Sequence, residues 1–118
     1  MNRISSNDKE IKKSKVHIIV TLIEYMPNTI VSRTVLKKTT GNITLMSFDR
    51  GEEMPEKSSP FDTFVQVIDG SAEIIINKKK HKLELGEGIT IPAHTYNYIK
   101  ANQRFKIIQT VIKSGYEA

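Results

Sequence analysis

The chain contains no cysteine. That absence excludes disulfides, thiolate metal sites and a cysteine nucleophile together. Histidine is also scarce, with three in 118 residues, so a histidine-rich metal site has few residues to draw on. Long apolar runs are missing too. The stretch Val16 to Ile23 follows a lysine-rich start and imitates a signal peptide, but it is short and interrupted by His17. It leads into Glu24-Tyr25 with no small-residue cleavage site. No segment is long enough to span a bilayer, so the expectation is a cytoplasmic protein that engages no membrane.

What is present fits one packed domain. The hydrophobic fraction is 38% and the charged fraction 26%, both ordinary for a globular protein. Lysine and arginine outnumber acidic residues 18 to 13, with much of the excess in Lys9, Lys12, Lys13, Lys15 and Lys78-Lys79-Lys80. Neither cluster is interleaved with stacking aromatics or forms a base-reading motif, so nucleic acid is not an expected partner. Residues 1–14 are polar, lysine-rich and without apolar periodicity, and read as a flexible tail. Residues 15–118 then form a single domain.

Beyond Pro27-Asn28 the pattern is almost entirely β. Ile30 to Leu36 and Ile43 to Phe48 are rich in β-branched residues and are parted by Thr40-Gly41-Asn42. Phe64 to Ile68 and Ala72 to Ile76 flank Asp69-Gly70, a pair suited to a tight hairpin, and the lysine run 78–80 reads as the next turn. A short strand at Ile89 to Ile91 stops at Pro92, and Tyr96 to Ile99 and Phe105 to Ile112 complete the set. About eight short strands with frequent turns predict an all-β sandwich or barrel. Glu52, Glu53 and Glu56 read as an exposed loop. Several strands carry apolar side chains on both faces, as with Val65 and Val67 against Phe64 and Ile68. One face fills the interior, so the other needs cover from the N-terminal segment or a second copy, and a homodimer is expected.

Two glycine-bounded segments carry a family resemblance. Gly51 to Gly70 resembles the first motif of the cupins, and residues 86–101, opening on Gly86 with Pro92 at the proper separation, resemble the second. Pro60-Phe61-Asp62, Asp69-Gly70 and Pro92-Ala93 are similar to the small single-domain, RmlC-like conserved-barrel members. The resemblance covers roughly Thr29 to Lys113 and implies a double-stranded β-helix, or jelly-roll, barrel.

It also locates a site. The family's two motif-one histidines fall on Lys57 and Ser59, its glutamate on Thr63 and its motif-two histidine on Asn97. A protonated lysine repels a divalent cation, and hydroxyl or amide oxygens bind transition metals weakly, so neither metal nor other cofactor is expected. His94, standing where the second motif has glycine, is the one histidine expected near the barrel mouth. Lys57, Ser59, Thr63, Asn97 and His94 are therefore the candidate pocket residues. The leading expectation is metal-free, non-catalytic binding of a small polar or anionic organic ligand. The alternatives are a metal-dependent isomerase or dioxygenase with a weak site near His94, and a structural or regulatory dimer with an occluded barrel. Catalytic residues are not assigned.

Overall fold

The computed structural model describes residues 4–113. Ten strands lie in that range: β1 (Ile4–Asn7), β2 (Ile30–Lys38), β3 (Gly41–Phe48), β4 (Glu53–Lys57), β5 (Asp62–Gly70), β6 (Ala72–Ile76), β7 (Lys79–Leu83), β8 (Gly88–Ile91), β9 (Asn97–Lys100) and β10 (Phe105–Ile112). They form a six-stranded sheet in the order β1-β2-β3-β10-β5-β8 and a four-stranded sheet in the order β4-β9-β6-β7. The chain changes sheet after β3, β4, β5, β7, β8 and β9, so the two sheets enclose one interior between their facing sides. This is the jelly-roll barrel expected from the sequence.

Alternation along the strands selects the interior. Val65 and Val67 of β5 and Ile107 of β10 are fully buried, whereas Phe64 is 43% exposed. Met46, Phe48, Ile74, Ile91, Ile99 and Phe105 join the same core. At one end Phe48 and Phe105 stack, with ring centroids 4.6 Å apart and planes inclined by 18°, and they close the barrel there. Burial along the inward face of β10 relaxes away from that stack, from Phe105 and Ile107 to the half-buried Gln109 and Val111. The barrel therefore opens at the Thr63–Val111 end.

The outer face of the six-stranded sheet is covered in part by the segment before β2. A short 3-10 turn at Ile19–Leu22 leads into a strap that crosses the outward side of β3. Ser47 Oγ donates to the Glu24 carbonyl at 2.8 Å, Arg33 Nη1 to Leu22 O at 2.9 Å, and Lys106 Nζ to Val20 O at 2.8 Å. Tyr25 Oη donates to Asp69 Oδ2 at 2.7 Å, beneath cationic groups of Arg104 and Lys106 that lie 5.2 and 5.0 Å from its ring centroid. Under this strap Leu45 and Ser47 are fully buried and Ile23 nearly so. The N-terminal cover foreseen in the sequence is thus present, though Phe64 and Ile112 remain about half exposed on the same face.

Several local expectations need correction. The polar stretch read as a tail contributes β1, which pairs in parallel with β2 from Ile4↔Ile30 to Asn7↔Arg33; residues 1–3 lie outside the described residues. All four β1 side chains are exposed, so backbone pairing holds a strand that no apolar pattern announces. Asp69-Gly70 is not a hairpin, because β5 and β6 belong to different sheets. It is the corner between them. Gly70 has φ +72°, and a Cβ there would stand 2.4 Å from the Arg104 carbonyl oxygen, which leaves glycine as the fitting residue. The true hairpin turn is Asn77-Lys78, both at positive φ, between β6 and β7, so Lys79 and Lys80 lie in strand. The glutamates read as loop lie partly in β4, an edge strand that tolerates Pro55 and carries an irregularity between Met54 and Lys57.

Candidate functional site

Strand register brings the candidate residues together at the open end of the barrel. Lys57 on β4 is the Cα partner of Asn97 on β9. Across the interior, Thr63 on β5 pairs with Ile91 of β8 and with Val111 of β10. These residues, with Ser59, Phe61 and Thr95, surround a cavity of about 130 Å³ whose wall also includes Pro92, Ile99 and Gln109. For scale, an apolar cavity of roughly 150 Å³ accepts benzene. The pocket is open, amphipathic and sized for a small molecule.

Its polar groups divide into those already engaged and those left for a ligand. Asn97 is 6% exposed, and its Nδ2 donates to the carbonyls of Lys57 and Thr95, each at 3.3 Å. Its amide donors thus tie β4 to β9 across the β4 irregularity. Ser59 Oγ accepts the Phe61 amide at 3.1 Å, and Thr95 Oγ1 donates to the Ala93 carbonyl at 3.3 Å. By contrast, the side chains of Lys57, Thr63 and Gln109 make no hydrogen bond or ion pair among the described residues. These three are the groups free to meet a ligand.

Lys57 is exposed as a residue yet lines the pocket, which places it at the mouth. The pocket walls remove part of the hydration of its ammonium, and this desolvation holds its pKa below the ordinary lysine value. Solvent access at the mouth limits that effect, and we treat the amine as protonated at neutral pH. Among the described residues it is a cation without an ion-pair partner, facing a cavity.

Gln109 was not anticipated. Its strand reads as apolar on both faces, and only the register opposite the fully buried Val65 shows that the amide points inward. The available signal was a polar residue in the inward series Phe105, Ile107, Gln109, Val111.

His94 does not join the pocket. It is exposed on the turn before β9 and is absent from the cavity wall. Its backbone has φ +62°, the left-handed conformation that suits glycine, which accounts for glycine at this point of the resembled motif. Its amide donates to the Ser59 carbonyl at 2.6 Å, while the Ala93 amide donates to Asp62 Oδ1 at 2.8 Å. The Pro60-Phe61-Asp62 and Pro92-Ala93 stretches are therefore stitched to each other beside the pocket mouth.

No family model and no curated protein matches the chain. Solved structures do. A conserved protein of unknown function from Streptococcus pyogenes superposes with a TM-score of 0.84 at 28% identity, over 90% of this chain and 93% of its own. A cupin superfamily protein from Desulfitobacterium hafniense gives 0.82 at 26% identity, over 90% and 97%. The fold is that of a small cupin domain. A cupin 2 conserved barrel domain protein from Leptotrichia buccalis is similar as well, with a TM-score of 0.77 at 27% identity over 80% of this chain and 46% of that longer one.

Metal-binding cupins use imidazole and carboxylate ligands at the four motif positions, and the residues here do not fit that role. Lys57 contributes a cation, the amide donors of Asn97 are turned onto backbone carbonyls, and Ser59 and Thr63 contribute neutral hydroxyls. Among the described residues no group of three His, Asp or Glu side chains is placed to hold a metal ion. Also among them, no helix is long and apolar enough to cross a membrane.

Proposed function

We propose that this cupin binds a small organic anion in its barrel without a metal and without turning it over. The observation that carries the reading is the unpaired Lys57 ammonium beside the unengaged Thr63 hydroxyl and Gln109 amide in one open cavity. A partly desolvated cation gains more from an anion than a fully hydrated one does, because the local dielectric is lower. The same groups supply no base aligned on a nucleophile and no electrophile, so they orient an acid rather than transform it. The cavity volume speaks against an occluded barrel, and the position of His94 against an enzyme built around it.

Calorimetric titration of the full chain with a panel of short-chain carboxylates tests the reading. Saturable binding by the wild type that is lost in Lys57→Met supports it. Binding of neutral amides or alcohols in preference to acids overturns it.

The protein is further proposed to act as a homodimer. The strap leaves Phe64 and Ile112 exposed on the outward side of β5 and β10, while Val16 and Ile18 before it are 95% and 70% exposed. A second copy offers both kinds of apolar surface at once. Sedimentation equilibrium showing one monomer mass at all concentrations contradicts this assembly.

A further inference from the structure

Of the three unengaged polar groups in the pocket, Lys57 and Gln109 lie at its two extremes of depth. Lys57 stands at the mouth, opposite Asn97. Gln109 lies one inward-facing position deeper along β10 than Val111, beside the fully buried Val65 and Ile107. Between these levels the walls are mainly apolar, formed by Phe61, Ile91, Ile99 and Val111, with the Thr63 hydroxyl at the level of Val111, above Gln109. An acid that satisfied Lys57 alone would project an apolar tail against the half-buried Gln109 amide and cost it its water. That cost is avoided only by a ligand with a hydrogen-bonding group at the deep end.

We infer that the pocket selects a small monocarboxylate carrying one further hydroxyl or carbonyl group, of the hydroxy-acid or oxo-acid class, with Gln109 as the specificity-determining residue. The inference rests on the anion-binding reading above and adds the identity of the second contact. A cavity near 130 Å³ limits the ligand to roughly the size of benzene, about six non-hydrogen atoms. Lactate and pyruvate have that size. Glutamine offers both an N–H donor and a carbonyl acceptor, so it accommodates either a hydroxyl or an oxo group by rotating its amide. A second carboxylate in the ligand finds no cation at that depth, which excludes diacids.

The test compares lactate and pyruvate with propionate, of similar length but lacking the second group, by calorimetry and by the side-chain amide resonance of Gln109. The wild type is expected to bind lactate or pyruvate roughly tenfold more tightly than propionate, the scale of one hydrogen bond, and to show a shifted Gln109 amide signal with them. Gln109→Leu is expected to abolish that preference while retaining propionate binding. The isosteric Gln109→Glu, which keeps the side-chain shape but adds negative charge, is expected to weaken all three acids. An unchanged lactate-to-propionate ratio in Gln109→Leu, or a wild type that prefers propionate, overturns the role of Gln109 and leaves anion binding standing. A wild type that binds none of these acids but binds other carboxylates overturns the ligand class. One that binds no carboxylate at all overturns the anion-binding reading and this inference with it.

Discussion

Replacing Lys57 with methionine is expected to make the protein more stable while removing its affinity for acids. Lys57 faces the cavity with no counter-ion among the described residues, and the surrounding walls lower its pKa by desolvation. Folding therefore holds a charged amine in surroundings that favour its neutral form. Because the residue keeps contact with solvent, screening reduces the penalty, and relief from it amounts to about 0.3–1 kcal/mol. For a chain of this size 1 kcal/mol moves Tm by about 4 °C, so Lys57→Met should melt roughly 1–4 °C higher at pH 7. The pH dependence has a definite sign. A folded-state pKa below the ordinary 10.5 means that between the two values the unfolded chain holds the proton more tightly, so wild-type stability rises with pH there. The penalty is complete below the folded pKa and vanishes above the unfolded one. The advantage of Lys57→Met is thus greatest near neutrality and shrinks as pH approaches 10.5. Paired thermal melts of both proteins at several values between pH 7 and 10.5 measure it. A variant less stable than wild type at pH 7, or an advantage that does not change with pH, refutes the placement of an unpaired cation in the pocket.

Gly70→Ala tests the corner between the sheets: positive φ and a 2.4 Å approach to the Arg104 carbonyl oxygen should together cost about 2–4 kcal/mol, read as a lower urea midpoint at unchanged m-value. Tyr25→Phe removes the strap's hydrogen bond to Asp69 and should cost about 1–2 kcal/mol. Amide exchange is expected to quicken in residues 20–26 and not in β5, and uniform quickening would show that the strap does not open separately.

Legibility in the sequence followed how strongly each segment depends on its own side chains. The apolar runs of β3, β5 and β10 announce themselves because side-chain burial holds them in place, on alternate residues in β5 and the first part of β10 and on both faces at the end of β3. β4 and β1 do not. Glu53, Pro55 and Glu56 are poor strand formers, and the Ile-Ser-Ser-Asn segment buries nothing; both strands exist because a neighbouring edge offers them backbone partners. Asp69-Gly70 shows a different limit. An Asp-Gly pair signals positive φ, but whether the chain turns back onto its own strand or crosses to the facing sheet depends on pairings formed far away in sequence, here with β10 and β9. The candidate pocket was legible where motif spacing located it, in that Lys57, Ser59, Thr63 and Asn97 all line one cavity. His94 was misplaced because its position is set by backbone conformation rather than by side-chain direction, and Gln109 was missed because the inward face of β10 is defined only once register is known.

On the proposed anion-binding reading, the division of polar groups suggests how a barrel of this type changes from holding a metal to holding an organic acid. An imidazole at the Asn97 position would have to project into the cavity to ligate. The asparagine instead spends both amide hydrogens on the Lys57 and Thr95 carbonyls and so secures the irregular edge strand that carries Lys57. Ser59 likewise serves the backbone, its Oγ taking the Phe61 amide and its carbonyl the His94 amide. Two of the four motif positions have thus become struts for a third. That arrangement keeps a long, entropically free lysine anchored at its base, and it leaves recognition to a single cation at the mouth and to whatever the deeper wall offers. Selectivity in such a pocket cannot come from coordination geometry. On the same reading it comes from volume, from the Thr63 hydroxyl and from Gln109, the pocket amide that has no hydrogen-bond partner among the described residues.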